Sequence, residues 1–206
     1  MRAENIRKGK ETSVIFALKR GEARVVLKRW EEDEDVLTLK QVHSSKVYVL
    51  EGFLQGLEGD AIITKRKGLK IGVRTADCVP IALLGRRAVA VIHAGWRGLK
   101  EGIVERTLKE FSTLESAEDI LAFLGPSAKA CCYEVGEDFK KHFLGLHFRR
   151  GRHYMDTQEE ALMRLRRSGV KEFFVYRVCT VCHWAFPSHR RNKTKERLLT
   201  FVEMLE

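Results

Sequence analysis

Two histidines and one cysteine stand where their side chains could hold a metal ion. His43 lies in Gln41-Val42-His43-Ser44, Cys78 in Thr75-Ala76-Asp77-Cys78-Val79-Pro80, and His93 in His93-Ala94-Gly95-Trp96-Arg97-Gly98. Each is at or just past a short apolar run rich in β-forming residues, where an α/β protein displays its chemistry. Two imidazoles and one thiolate leave a fourth tetrahedral position open, as catalytic rather than structural zinc requires. Zinc in such a site brings the pKa of bound water toward about 7, and one thiolate leaves a formal positive charge that welcomes an anionic oxygen. Taken singly, each residue also fits a plain role: Cys78 as a small buried hydrophobe, and the histidines as satisfied polar groups at strand ends. The same trio fits a metal-free cysteine hydrolase, with Cys78 as nucleophile and His93 or His43 as base.

Asp77, beside Cys78, is a candidate proton carrier or an anchor that orients a ligand, and Asp60 carries the same two readings. Arginine matches phosphate oxygens bidentately, which makes Arg97, Arg190 and Arg191 candidate anion holders. Arg97 follows Gly95 at an expected helix start, whose N-terminus would help. For any one of the three, a surface salt bridge is an equal reading.

The remaining cysteines read first as structural, with a redox or zinc role for Cys179 and Cys182 as the lesser alternative. Cys179-Thr-Val-Cys182-His183 has the haem c attachment spacing. That chemistry needs export, and Met1–Asn5 lead into further charge without the apolar stretch of a leader. Cys131 and Cys132 are adjacent, which strains a mutual disulfide, so packing or a pocket wall is the expected role.

No single helix can present residues 43, 78 and 93, so three loops must converge. The 206 residues suit one globular domain, residues 1–206, with 44% hydrophobic and 32% charged residues. No run of about 18 apolar residues exists, and a cytoplasmic protein is expected. The net charge of +10 is spread along the chain, with short clusters at Arg149, Arg150 and Arg152 and at Arg190, Arg191, Lys193 and Lys195. A solvated basic surface accounts for it, without a specific nucleic-acid motif; a phosphate-bearing substrate would profit from the same field. Nothing specifies an oligomeric state.

Strands are expected at 13–18, 23–30, 36–39, 47–50, 61–64, 69–74, 79–84, 87–92, 120–124 and 172–178. Helices are expected at 99–111, 135–143 and 157–168, the last with a capping-box start at Thr157 and Gly169 at its end. Residues 196–205 fit a helix at least as well as a strand. Several strands precede each helix, which points to mixed sheets covered by helices, α/β or α+β, rather than an alternating doubly wound fold.

Several blocks recur in one order. They are Gln41-Val-His43, Gly59-Asp60-Ala61, Thr75-Ala-Asp77-Cys78-Val-Pro80 and His93-Ala-Gly-Trp-Arg-Gly98, then Gly125-Pro-Ser127, Cys132-Tyr-Glu-Val-Gly136 and Ser188-His-Arg-Arg191. Across residues 35–205 the chain resembles the laccase-domain family, long called polyphenol oxidases and now read as purine nucleoside phosphorylases. The resemblance implies one zinc held by His43, Cys78 and His93. It also implies phosphorolysis of adenosine, inosine, guanosine and methylthioadenosine, with adenosine deamination in the same pocket. Purine nucleosides and inorganic phosphate are then the small-molecule partners, with no membrane involved. The implied fold is a layered α/β/β/α sandwich like that of deamidating toxins, with the last segment a strand. Where the family reads Ser-Tyr-Arg-Arg, this chain has His189, a departure at a candidate substrate contact. Seven histidines are too few, as placed, for a blue-copper site plus a trinuclear cluster. An open His/Cys site would still accept copper as a substitute, with weak oxidase activity.

Overall fold

In the computed structural model, residues 14–32, 35–52 and 56–206 are described. The segment read for a leader, and Ser13 at the start of the first expected strand, lie outside them. Short Val- and Ile-rich runs give β1 (Val14–Arg20), β2 (Ala23–Arg29), β3 (Leu37–Thr38) and β4 (Val47–Val49). β5 (Ala61–Thr64), β6 (Ile71–Thr75), β7 (Val79–Leu84) and β8 (Val89–Ala94) follow, then α1 (Trp96–Lys100), α2 (Ile103–Phe111) and β9 (Leu121–Leu124). The rest is β10 (Glu134–Val135), β11 (Leu146–Arg149), β12 (Arg152–Met155), α3 (Thr157–Arg167), β13 (Glu172–Val175), α4 (His189–Asn192) and β14 (Leu198–Met204).

One sheet runs β1-β2-β14-β6-β3, a second β13-β9-β7-β8-β5-β4, and a small third β10-β12-β11. The first two are mixed: β3–β6, β4–β5 and β13–β9 pair in parallel and their other pairs are antiparallel. Every residue of β7 and β8 is buried, because both faces of the second sheet are covered. Strand alternation divides β8 cleanly. Ala90, Ile92 and Ala94 pack with Leu99, Ile103, Phe111 and Leu165 of the helices. Val89 and Val91 pack with Leu27, Ile71, Leu198 and Val202 of the first sheet. Each such side chain contributes about 1.5–3 kcal/mol when fully buried. The fold is mixed α+β. Its described layers run sheet, sheet, helices, and the second helical layer of the expected arrangement is not among the described residues. Across the outer face of the first sheet, Val26, Leu199 and Phe201 are covered by strand and loop residues such as Trp30 and Val36. Among the described residues, no helix is long and apolar enough to cross a membrane.

Three expectations are corrected, and the open one, at the last segment, goes the way the resemblance implies. The helix expected at 99–111 begins at Trp96 and is broken by Gly102, whose φ of +82° is left-handed. That expected at 135–143 is the end of β10 and a short 3-10 turn over Glu137–Lys141. Asp156, rather than Thr157, caps α3, its carboxylate accepting the Glu159 N–H at 3.0 Å. The ambiguous last segment is a strand, β14, central in its sheet and buried throughout. Buried strands lose the alternation that marks them in sequence.

The site is placed where the chain changes sheets. Between β3 and β4 it leaves the first sheet for the second, carrying His43. Between β6 and β7 it does so again, carrying Asp77 and Cys78. His93, next to last in β8, lies on the face that Val89 and Val91 share, toward the first sheet. One edge of the sandwich thus collects all three.

Candidate metal centre and its cavity

The Cys78 sulfur and ring nitrogens of His43 and His93 lie within 4.8 Å of one another. The two imidazole rings meet edge-on, their centroids 4.8 Å apart. His43 is exposed, Cys78 half-buried and His93 buried, so the cluster is reachable from one side. Among the described residues the other histidines join no metal-capable cluster, leaving no imidazoles for a trinuclear copper site.

A single carboxylate organises both histidines. Asp60 is fully buried. Its Oδ1 meets Nδ1 of His93 at 2.7 Å and accepts the His43 backbone N–H at 3.0 Å. Its Oδ2 accepts the Ser44 N–H and hydroxyl at 2.6 and 2.7 Å. With Nδ1 engaged, Nε2 of His93 is left to face the cluster. The same bonds hold the turn in which His43 adopts a φ of +60°, uncommon for a residue with a side chain. The glycines of the His93 block serve close approach. A Cβ on Gly95 would lie 3.0 Å from the Cys78 sulfur and 3.1 Å from a His43 ring carbon, and one on Gly98 3.0 Å from the Ser44 carbonyl.

Without a metal the cluster is a charge pair. Burial raises the Cys78 pKa, but the neighbouring His93 charge and hydrogen bonds from both imidazoles outweigh it, lowering the thiol to about 6. Burial likewise works against the His93 charge, yet the Cys78 charge and the Asp60 hydrogen bond raise it to about 9. The Cys78 contribution to stability is therefore present above the free-thiol value and lost as pH falls through about 6. The His93 contribution is present below the free-imidazole value and lost as pH rises through about 9.

The cluster opens into a cavity of about 720 Å³. Trp30, Trp96 and Tyr133 line it with aromatic faces, and Arg74, Arg97, Arg190, Lys193, Lys195 and Arg197 supply cations. Asp77 is the one carboxylate among its lining residues. Arg190 is braced, Nη2 donating to the Glu134 carbonyl at 2.6 Å with its guanidinium 5.1 Å from the Tyr133 ring centre. Burial first, and the Cys78 charge second, push the Tyr133 phenol up to about 12, so it stays a neutral O–H donor.

Asp77, at a φ of +89°, accepts the Thr180 hydroxyl on Oδ1 at 2.7 Å and the Arg190 N–H on Oδ2 at 2.6 Å. It ties the Cys78 loop to the segment bearing Arg190. Arg191 does not reach the cavity. Its guanidinium donates to the carbonyls of Thr180, Val181 and Phe186 at 2.8–3.0 Å and lies over Trp184. Successive helical residues point about 100° apart, so Arg190 and Arg191 cannot both face inward. His189 lines the cavity, at the departure noted from the sequence. Trp30, Arg74 and Arg197 belong to no motif in the sequence, where Lys193 and Lys195 carry only the signature of solvated surface. Only the pairing of β14 with β2 and β6 brings the three segments together.

The "Multi-copper polyphenol oxidoreductase laccase" family model matches residues 18–205. A protein of Aquifex aeolicus named purine nucleoside phosphorylase is 44% identical over 207 residues, spanning 100% of both chains. Adenosine deaminase RL5, from an unknown prokaryotic organism, is 37% identical over 131 residues, 56% of this chain and 49% of that protein. In shape, the chain is similar to the crystal structure of the Bacillus licheniformis hypothetical protein YfiH. That likeness has a TM-score of 0.85 at 20% identity, over 96% of this chain and 98% of the other. A match running from β1 through β14 takes in both sheets and all three residues of the cluster, and the chain belongs to the multi-copper polyphenol oxidoreductase laccase family.

Proposed function

We propose that the chain is a zinc-dependent purine nucleoside enzyme. It would cleave adenosine, inosine, guanosine or methylthioadenosine with phosphate and deaminate adenosine in the same cavity. The observation that carries this reading is one cavity joining a His43–Cys78–His93 donor set, aromatic walls and a surplus of cations. The donor set fits zinc: two imidazoles and a thiol with a depressed pKa, with Asp60 behind one imidazole. Zinc there would act as a Lewis acid toward an oxygen ligand.

The chain's own groups do the rest. Trp30, Trp96 and Tyr133 offer faces and one phenol to a purine, and Arg190 and Arg97 hold phosphate beside the ribose. In phosphorolysis a phosphate oxygen bonds C1′ as the bond to the base breaks, and the base leaves with a proton. The surrounding cations keep the phosphate charge in place while positive charge builds on the ribose. In deamination, water adds at C6 of adenine and ammonia leaves. Asp77 acts as a positioning residue through its hold on Arg190. Copper would occupy the same donors as a substitute.

Chromatography of zinc-loaded protein incubated with adenosine and phosphate should show adenine with ribose 1-phosphate, or inosine. A chelator-stripped sample should show neither. No product from either sample would sink this reading.

A metal-free cysteine hydrolase is the second reading, favoured by the thiolate–imidazolium pair that Cys78 and His93 form without metal. In chelated protein, alkylation of Cys78, followed by peptide mapping, should stay fast down to a half-rate near pH 6. Zinc should abolish it if the metal reading holds. Activity that survives chelation but falls in step with Cys78 alkylation would select the hydrolase.

A further inference from the structure

We infer that Cys131, Cys132, Cys179 and Cys182 form a second metal site, a closed tetrathiolate for zinc, apart from the cavity. Their sulfurs all lie within 4.8 Å of one another. Cys182 stands 2.7 Å from Cys132 and 3.2 Å from Cys131, beyond the ~2.05 Å of a disulfide. Four sulfurs about 2.3 Å from one zinc stand about 3.8 Å from each other, so a small adjustment seats the ion. None of the four lines the cavity, and among the described residues no nitrogen or oxygen ligand joins them. An all-sulfur tetrahedral set selects zinc, in a structural role, over harder cations.

The local backbone is shaped for this. Cys131 and Cys132 occupy a helical turn in which the Cys132 and Tyr133 N–H groups both donate to the Lys129 carbonyl, at 3.0 and 2.9 Å. Cys179 and Cys182 have the C-x-x-C spacing of a zinc knuckle, the turn closed by the His183 N–H on the Cys179 carbonyl at 3.0 Å. The backbone N–H groups of Cys182 and Lys129 are directed at the Cys179 sulfur. The two turns are already in register, Thr180 N–H donating to the Ser127 carbonyl at 3.1 Å. A zinc tetrathiolate carries two formal negative charges, and two guanidiniums sit against its loops. Arg149 donates to the Ala130 and Cys131 carbonyls at 3.2 and 2.7 Å, and Arg191 to those of Thr180 and Val181. This gives Arg191 a reason to turn from the cavity. The ion would staple the turn before Tyr133 to the loop carrying Thr180, and so brace the cavity wall from outside.

The test uses the Cys78→Ala chain, which lacks the thiolate of the other centre, purified in reductant and loaded with zinc or cobalt(II). One ion per chain is expected, with a sulfur-only first shell by X-ray absorption and intense thiolate-to-cobalt charge transfer. Adding Cys182→Ser should remove that ion. In wild-type protein, zinc should protect these four cysteines from alkylation until a strong chelator is added, a readout that needs no variant to fold. A Cys78→Ala chain that takes up no metal, or a shell with nitrogen in it, would overturn the assignment. So would equal alkylation of the four thiols with and without zinc.

Discussion

Cys78→Ala should bind one zinc ion fewer per chain and turn over nucleoside about a thousandfold more slowly, a loss of about 4 kcal/mol of barrier lowering. The size follows from what Cys78 contributes. It is the one anionic donor of the three, set by the shift of its thiol to about 6. Two neutral imidazoles alone would leave a weaker, more solvated ion. The backbone around Cys78 does not depend on the sulfur: the Asp77 carbonyl still accepts the Ala128 N–H at 2.8 Å, and β7 keeps its ladder with β8. In chelator at about pH 5, where the Cys78 thiol is protonated and its charge no longer contributes, the variant should unfold within about 1 kcal/mol of wild type. Undiminished zinc content would remove Cys78 from the ligand set; lost zinc with full activity would separate the metal from the reaction.

Asp60→Ala should have the larger effect on the fold. This carboxylate is wholly buried and binds the His93 ring, the three successive backbone N–H groups of Val42, His43 and Ser44, and the Ser44 hydroxyl. Burial raises its pKa, but the hydrogen bonds from His93 and Ser44 outweigh that, so it stays below the ordinary carboxylate value. Its contribution is thus fully present above that ordinary value and fades as pH falls through its lowered one. Removing one partner of a buried pair costs about 3–5 kcal/mol, because His93 and the 43–44 turn are left with buried donors unanswered. Urea unfolding of the chelated protein at neutral pH should show that loss. Zinc affinity should fall a further 10–100-fold, as for other carboxylates behind metal-bound histidines. Asp60→Asn, which keeps one acceptor oxygen, should lose less of both. Equal stability of wild type and Asp60→Ala would show that the turn is held by other means.

Local pattern carried part of this far. β5 and β7 fall on the residues their Val, Ile and Leu runs mark, and α3 ends where Gly169 requires, at a φ of +97°. The three members of the cluster were legible because each stands at or just past a short apolar run, inside a distinctive block of its own. Direction was not legible. Adjacent arginines look alike in sequence, yet Arg190 lines the cavity and Arg191 is consumed by three carbonyls. Nor could β14 be told from a helix, since a central strand buried on both faces shows no alternation. The four outlying cysteines looked unrelated because what joins them is the parallel bridge of Ser127 with Cys179, a contact between distant segments. Their C-C and C-x-x-C spacings were the available signal.

Among the described residues the chain passes from the first sheet to the second twice, and both passages bear on the metal. His43 and Cys78 belong to connections that start in one layer and finish in the other, while His93 belongs to the second layer alone. An ion held by all three would be a rivet through a seam. Its occupancy would resist the layers sliding apart, since ligand binding to the native state adds directly to stability. Heat inactivation would then report delamination of the two layers in one step, with no folded but metal-free species accumulating on the way.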